Sequence, residues 1–191
     1  MCTKGNFQSG LTLVELAVFI AVVSIALAGV LLVMNFTTNR SADPQLRKEA
    51  LAVAEALLEE VEMSGFTWCD AQDANFTTAT GAFTGANGCA STVENAGPEV
   101  GNSRPYDNVN DYVEAYGMPQ TLTGDVTGSS ALIPAGYTAT LTEIPEALGG
   151  ISSGSPPAAT NVLRLTVTVS YSGGSVTLEG YRTRYAPNFM P

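Results

Sequence analysis

Few side chains in this 191-residue chain are equipped for chemistry, and the most conspicuous is Glu15. It is the single charged residue in the run SGLTLVELAVFIAVVSIALAGVLLVMNF over positions 9–36. Near the centre of a membrane helix a charge costs about 2.5–3.5 kcal/mol on insertion scales, so such an acid needs a partner or a purpose. Two thiols, Cys69 and Cys89, stand 20 positions apart, with a third, Cys2, near the start. The stretch RPYDNVNDYVEAYG over 104–117 crowds Asp107, Asn108, Asn110, Asp111 and Glu114 into eight positions, and hard oxygen donors of this kind are what Ca²⁺ takes. Histidine is absent from the whole chain, which removes the Ser/His/Asp and Cys/His arrangements of nucleophilic catalysis.

Spacing narrows these options. An EF-hand loop needs an oxygen ligand at its third position and glycine at its sixth; counted from Asp107, those positions hold Val109 and Tyr112. Asx-turns and helix caps account for the same side chains more cheaply. One cysteine pair without histidine is too small a ligand set for structural zinc. Glu59-Glu60 and similar pairs sit in a helical charge pattern that needs no acid–base role, and neither a phosphate-binding loop nor a dinucleotide fingerprint is present. The sequence therefore predicts no enzyme, no catalytic residue, no metal site and no cofactor. A net charge of −10 argues against a nucleic-acid surface, which is normally basic. GYRTRY over 180–185 does interleave aromatics with Arg182 and Arg184, but on an alternating strand these read as a polar face.

The elements that would carry these residues are legible in the pattern. Residues 11–34 are apolar on every face over more than the ~20 residues that cross a bilayer as a helix, so the segment reads as membrane-inserted. A secretory signal cut after Ala26-Leu27-Ala28, before Gly29, competes poorly because the apolar run continues through Val33. A plain single-pass anchor explains the length and leaves Glu15 without a reason. Next, Leu46, Ala50, Ala54, Leu57, Leu58 and Val61 recur at helical spacing, with Asp43-Pro44 as N-cap and first residue and Ser64-Gly65 as a stop. Either a fresh helix starts at Asp43 or one helix runs on with a kink at Pro44; the kinked rod, roughly 80 Å long to Met63, is preferred. The acids Glu55, Glu59, Glu60 and Glu62 on it are expected to be solvated.

Residues 66–119 are rich in Gly, Ala, Thr, Asn and Asp, which predicts loops and short irregular pieces. In the last third, Leu163, Leu165, Val167, Val169 and Tyr171 alternate with polar residues; Ser172-Gly173-Gly174-Ser175 supplies a turn, and Val176, Leu178 and Gly180 return. GYTATLTEI over 136–144 adds a third strand, and LGGISSGSPPAATN over 148–161 reads as a flexible connection. An amphipathic helix laid on an antiparallel sheet gives an α+β fold with one core.

The stretch GLTLVEL resembles the glycine–hydrophobe–Thr-Leu–hydrophobe–Glu motif of type IV prepilins and type II secretion pseudopilins, and the short polar segment MCTKGNFQSG before it resembles their leader. The resemblance implies cleavage by a prepilin peptidase after Gly10 and methylation of the new first residue, here Leu11 where phenylalanine is commoner. It gives Glu15 an assembly role, pairing with the amine of a neighbouring subunit's first residue. The physics agrees, because an acid four positions after that amine shares its helix face and sits at the favourable end of the helix dipole. The segments SADPQLRKEALAVAEALLEEV and GCASTVENAGPEVGNSRPYDNVNDY are further similar to MshD-type minor pilins of mannose-sensitive haemagglutinin (MSHA) pili.

That family implies a leader at 1–10, a transmembrane helix half at 11–34, an amphipathic half at 35–65, and an α+β head at 66–191. Its partners would be other pilin subunits, the prepilin peptidase and the inner membrane, with the head in the periplasm before assembly and at the cell surface afterwards. A periplasmic head lies in an oxidising compartment, where Cys69 and Cys89 are expected to join and close a loop of about 20 residues, the alternative being a free pair. Two other functions remain open: a minor pseudopilin of type II secretion, and a pilus-tip module in which residues 66–119 bind a surface or glycan ligand.

Overall fold

Leu163, Leu165, Val167 and Val169 alternate with Arg164, Thr166 and Thr168 along one extended segment, and the inward set is fully buried. Side chains two apart share a face of a strand, so this pattern fixes the segment as the centre of the sheet. The computed structural model describes residues 12–41, 43–124 and 133–189. In chain order its elements are helix α1 (Leu13–Ser41), helix α2 (Asp43–Met63), a 3₁₀ turn (Val109–Tyr112), and strands β1 (Gln120–Leu122), β2 (Thr138–Pro145), β3 (Gly154–Ser155), β4 (Ala159–Thr160), β5 (Val162–Tyr171) and β6 (Gly174–Thr183). The chain divides after Pro44 into two compact units. Ala42, at the expected kink, lies outside the described residues.

The first unit holds α1. Leu13–Thr37 is 25 residues long, about 37 Å at 1.5 Å per residue, which exceeds the ~30 Å hydrocarbon thickness of a bilayer. Its apolar side chains have no protein core to bury them: Leu13, Ile25 and Leu32 are each more than 70 % exposed. The two hydroxyls within the span turn back on their own helix, Ser24 donating to the Ile20 carbonyl and Thr37 to that of Val33, both at 2.7 Å. That arrangement suits a medium without water, where a lone hydroxyl would lack a partner.

The second unit is a four-stranded antiparallel sheet, order β1-β2-β5-β6, with α2 packed on it. Ala50, Val53, Ala54, Leu57 and Val61 form the helix's buried stripe; Ala139, Leu141, Leu163, Leu165, Val167 and Val169 face them in the same core. Helix and edge strand approach closely at Gly180, where a Cβ would lie 2.1 Å from Glu62 Oε1 and 3.1 Å from Leu58 Cδ1, so that a larger residue would displace the Glu62 side chain. The β5–β6 hairpin closes tightly, with Tyr171 opposite Gly174 and only Ser172-Gly173 between.

The α+β class is as the sequence indicates, and α2 ends at Met63, just before the expected Ser64-Gly65 stop. Two expectations need correction. The connection over 148–161 is built, not flexible: β3 pairs with β4, and at Gly154 (φ +84°) a Cβ would stand 2.1 Å from the Ala159 carbonyl. Glu60 is not solvated. Its side chain is 9 % exposed and forms a bidentate ion pair with Arg104, while Tyr112 Oη donates to Glu60 Oε1 at 3.0 Å. Sequence spacing misjudged it because α2 is covered on this flank by the 104–113 segment, which has no periodicity of its own.

Candidate functional site

Glu15 lies in the first turn of α1. Its backbone N–H donates to Thr12 Oγ1 at 3.3 Å, and the N–H of Leu16 to the Thr12 carbonyl at 3.1 Å. Thr12 is therefore the N-cap, and Thr12 with Glu15 has the T-x-x-E spacing that marks a helix start in sequence. An acid here gains about 0.3–1 kcal/mol from the helix dipole. That is less than the cost of a charge deep in hydrocarbon, and Glu15 has no cationic partner among the described residues. Gly10 and Leu11, the expected processing residues, lie outside the described residues.

Cys69 and Cys89 are joined, so the expected disulfide is present. Both are fully buried with Ala79, against Trp68 and Val93. The residue that organises this loop is Asp73, which sequence reasoning missed. Its Oδ1 accepts the N–H groups of Asn75 and Ala90 at 2.9 and 2.8 Å, and its Oδ2 those of Ser91 and Thr92 at 2.8 and 2.9 Å. The Thr92 bond and the three others hold its carboxyl far below the usual range, against the opposing effect of burial. The tail closes the same loop, with Asn188 Nδ2 donating to the carbonyls of Phe76 and Ala79 at 2.8 and 3.0 Å.

In the acid-rich stretch the expected capping is met at Asp111, while Asn108 and Asn110 turn their side chains to other segments. Asn108 precedes the 3₁₀ turn; its N–H donates to Asp111 Oδ2 at 3.3 Å, and its amide exchanges hydrogen bonds with Thr67. Asn110 donates to Glu94 Oε1 at 3.2 Å and to the Asn95 carbonyl. What the stretch alone does not reveal is that the fold brings Glu94 and Glu99 beside Asp111, with one carboxylate oxygen from each within 4.8 Å of the others. Asp107 and Glu114 are not in that group. Burial, reinforced by Glu99 and Asp107, raises the Glu94 carboxyl; burial and then Glu94 raise that of Asp111.

Arg182 and Arg184 are not a free stacking strip. Arg182 donates to the Ser64 carbonyl at 2.7 Å, and Arg184 to those of Thr160 and Ala158. The Arg184 guanidinium lies 3.9 Å from the Phe66 ring centroid and 4.4 Å from that of Trp68, and its burial brings its pKa down to about 10.

A long apolar N-terminal helix, followed by a helix packed on an antiparallel sheet, is a pilin-like architecture. The membrane-capable helix and the disulfide together fit a membrane-anchored chain with an extracytoplasmic domain. Comparison with known protein families, with curated proteins and with solved structures finds no match to this chain.

Proposed function

We propose that this chain is a structural minor pilin of a type IV, MSHA-like pilus, processed after Gly10, held in the inner membrane by α1, and drawn into the fibre through that helix. Its place in the fibre would serve pilus assembly and surface attachment, and its partners would be other pilin subunits and the prepilin peptidase. The observation that carries this reading is the placement of Glu15 in the first turn of a membrane-length helix, without a cationic partner among the described residues. Cleavage after Gly10 would leave an ammonium group on Leu11, and an acid and an amine from neighbouring subunits would each remove the other's desolvation cost. A structural role, not catalysis, also suits a chain without histidine.

N-terminal sequencing of protein from the native membrane tests the processing step. A start at Leu11 supports it; a start at Gly29 or an uncut chain overturns it. The docking role predicts that Glu15→Gln lowers incorporation into sheared surface fibres by a factor on the order of a hundred, the equivalent of about 2.5–3.5 kcal/mol for an unpaired charge. Unchanged incorporation would remove Glu15 from the account. Recovery in fibres rather than in a secretion complex separates the pilus reading from a type II pseudopilin.

A further inference from the structure

We propose that Glu94, Glu99 and Asp111 form a calcium site in the second unit, closing the 93–113 segment on itself. Three oxygens that all lie within 4.8 Å of one another are close enough to share one Ca²⁺, since ligands bound at 2.3–2.6 Å stand at most about 4.6–5.2 Å apart. Proximity of acids is common and is not the argument. Glu94 and Asp111 are each only 1 % exposed, yet Glu94 Oε2 and Asp111 Oδ1 have no hydrogen-bond partner. Each acid gives its other oxygen to the protein: Glu94 Oε1 to Asn110 Nδ2, and Asp111 Oδ2 to the Asn108 N–H. Asn110, fully buried between them in sequence and space, likewise keeps an unpartnered Oδ1.

Buried oxygens left without donors are costly, and carboxylates facing each other are costlier still. The guanidinium whose charge reaches Glu94 is that of Arg184, which stacks on two aromatic rings and donates through Nε and Nη2 to two backbone carbonyls; its Nη1 is left without a partner, and it forms no ion pair with Glu94 among the described residues. A divalent cation answers all of these needs at once. The donors are all oxygen, which excludes a preference for soft metals, and Glu99 is half-buried, leaving one side for water to complete a coordination number of about 6–8. Calcium rather than magnesium fits because a mostly protein-built, irregular oxygen cage tolerates the larger ion, whereas Mg²⁺ keeps its waters.

The inference is independent of the pilin reading. The test uses the full chain in detergent micelles, stripped with EDTA and titrated with CaCl₂ or MgCl₂ up to ~5 mM, the range of extracellular calcium modules. Calcium is expected to raise the unfolding temperature and to give a saturable binding heat, with magnesium doing much less. The double variant Glu94→Gln and Asp111→Asn is expected to lose the calcium response while melting in EDTA at or above the temperature of the unsubstituted chain, since it keeps the shapes and removes the repulsion. A purely structural role for these acids would instead lower that temperature. Should the double variant fail to fold, Glu99→Gln, at the half-buried position, is expected to weaken calcium binding by about tenfold or more. No calcium response, an equal response to magnesium, or a response retained in both variants overturns the proposal.

Discussion

Glu143 follows Ala139 and Leu141 in the inward row of β2, pairs in register with Leu165, and is fully buried with neither carboxylate oxygen hydrogen-bonded. Burial raises its pKa well above its ordinary value of 4.5. The sign follows from that: the folded state prefers the protonated acid, so stability is unpenalised below about 4.5 and declines as pH rises from there toward the folded pKa. Glu143→Leu should therefore stabilise the chain by about 1–3 kcal/mol near pH 8 and by progressively less toward pH 4. Denaturant melts at several pH values check it; an equal loss at every pH would mean that the carboxyl has a partner. Glu60 and Arg104 make the opposite case, a buried pair whose separation leaves one charge alone. Arg104→Ala should cost about 3–5 kcal/mol, and combining it with Glu60→Leu should cost less than the sum of the two single changes. Ala139, Leu141 and Glu143 share one strand face, so the burial of Glu143 could have been read from GYTATLTEI along with the strand itself; its isolation could not, because it depends on which groups from other segments fail to reach it.

At the scale of elements, period carried the reading. The 3.6-residue stripe of α2 and the two-residue alternation of β5 and β6 are local patterns, and each was readable without knowing the fold. The two-residue pair β3–β4 is too short to show a period, which is why 148–161 reads as a flexible connection in sequence, and three-residue β1, equally without a period, does not read as an element. The 66–119 region has no period either, and its order comes from single side chains. Asp73 is the foremost: with its pKa depressed, its contribution is complete above its ordinary 3.8 and is lost as pH falls below that value. Asp73→Asn turns one oxygen acceptor into a donor facing two N–H groups. Hydrogen exchange should then show lost protection at Ala90, Ser91 and Thr92 while the β5–β6 hairpin stays protected. Equal loss in both places would show that loop and sheet open as one unit. The candidate calcium ligands were half legible for the same reason: Asp111 stands in an evident acid-rich stretch, but Glu94 and Glu99 join it only through chain reversal around Gly97, whose φ is +106°.

For the whole molecule, the two units present opposite surfaces to their surroundings. One is a helix with nothing but apolar side chains to offer along most of its length, the other a domain whose acids give the chain its net charge of −10. In the proposed fibre such a chain would be held at one end and loaded at the other, and there the Cys69–Cys89 bond would take on a mechanical meaning. Stretched between α2 and the C-terminal segment, the domain can lengthen only by the chain outside that bond. The 20-residue separation withholds about 70 Å of contour at roughly 3.3–3.6 Å per residue. Pulling single molecules with and without reductant should show that difference directly, the bond acting as a limit on how far the domain can be drawn out.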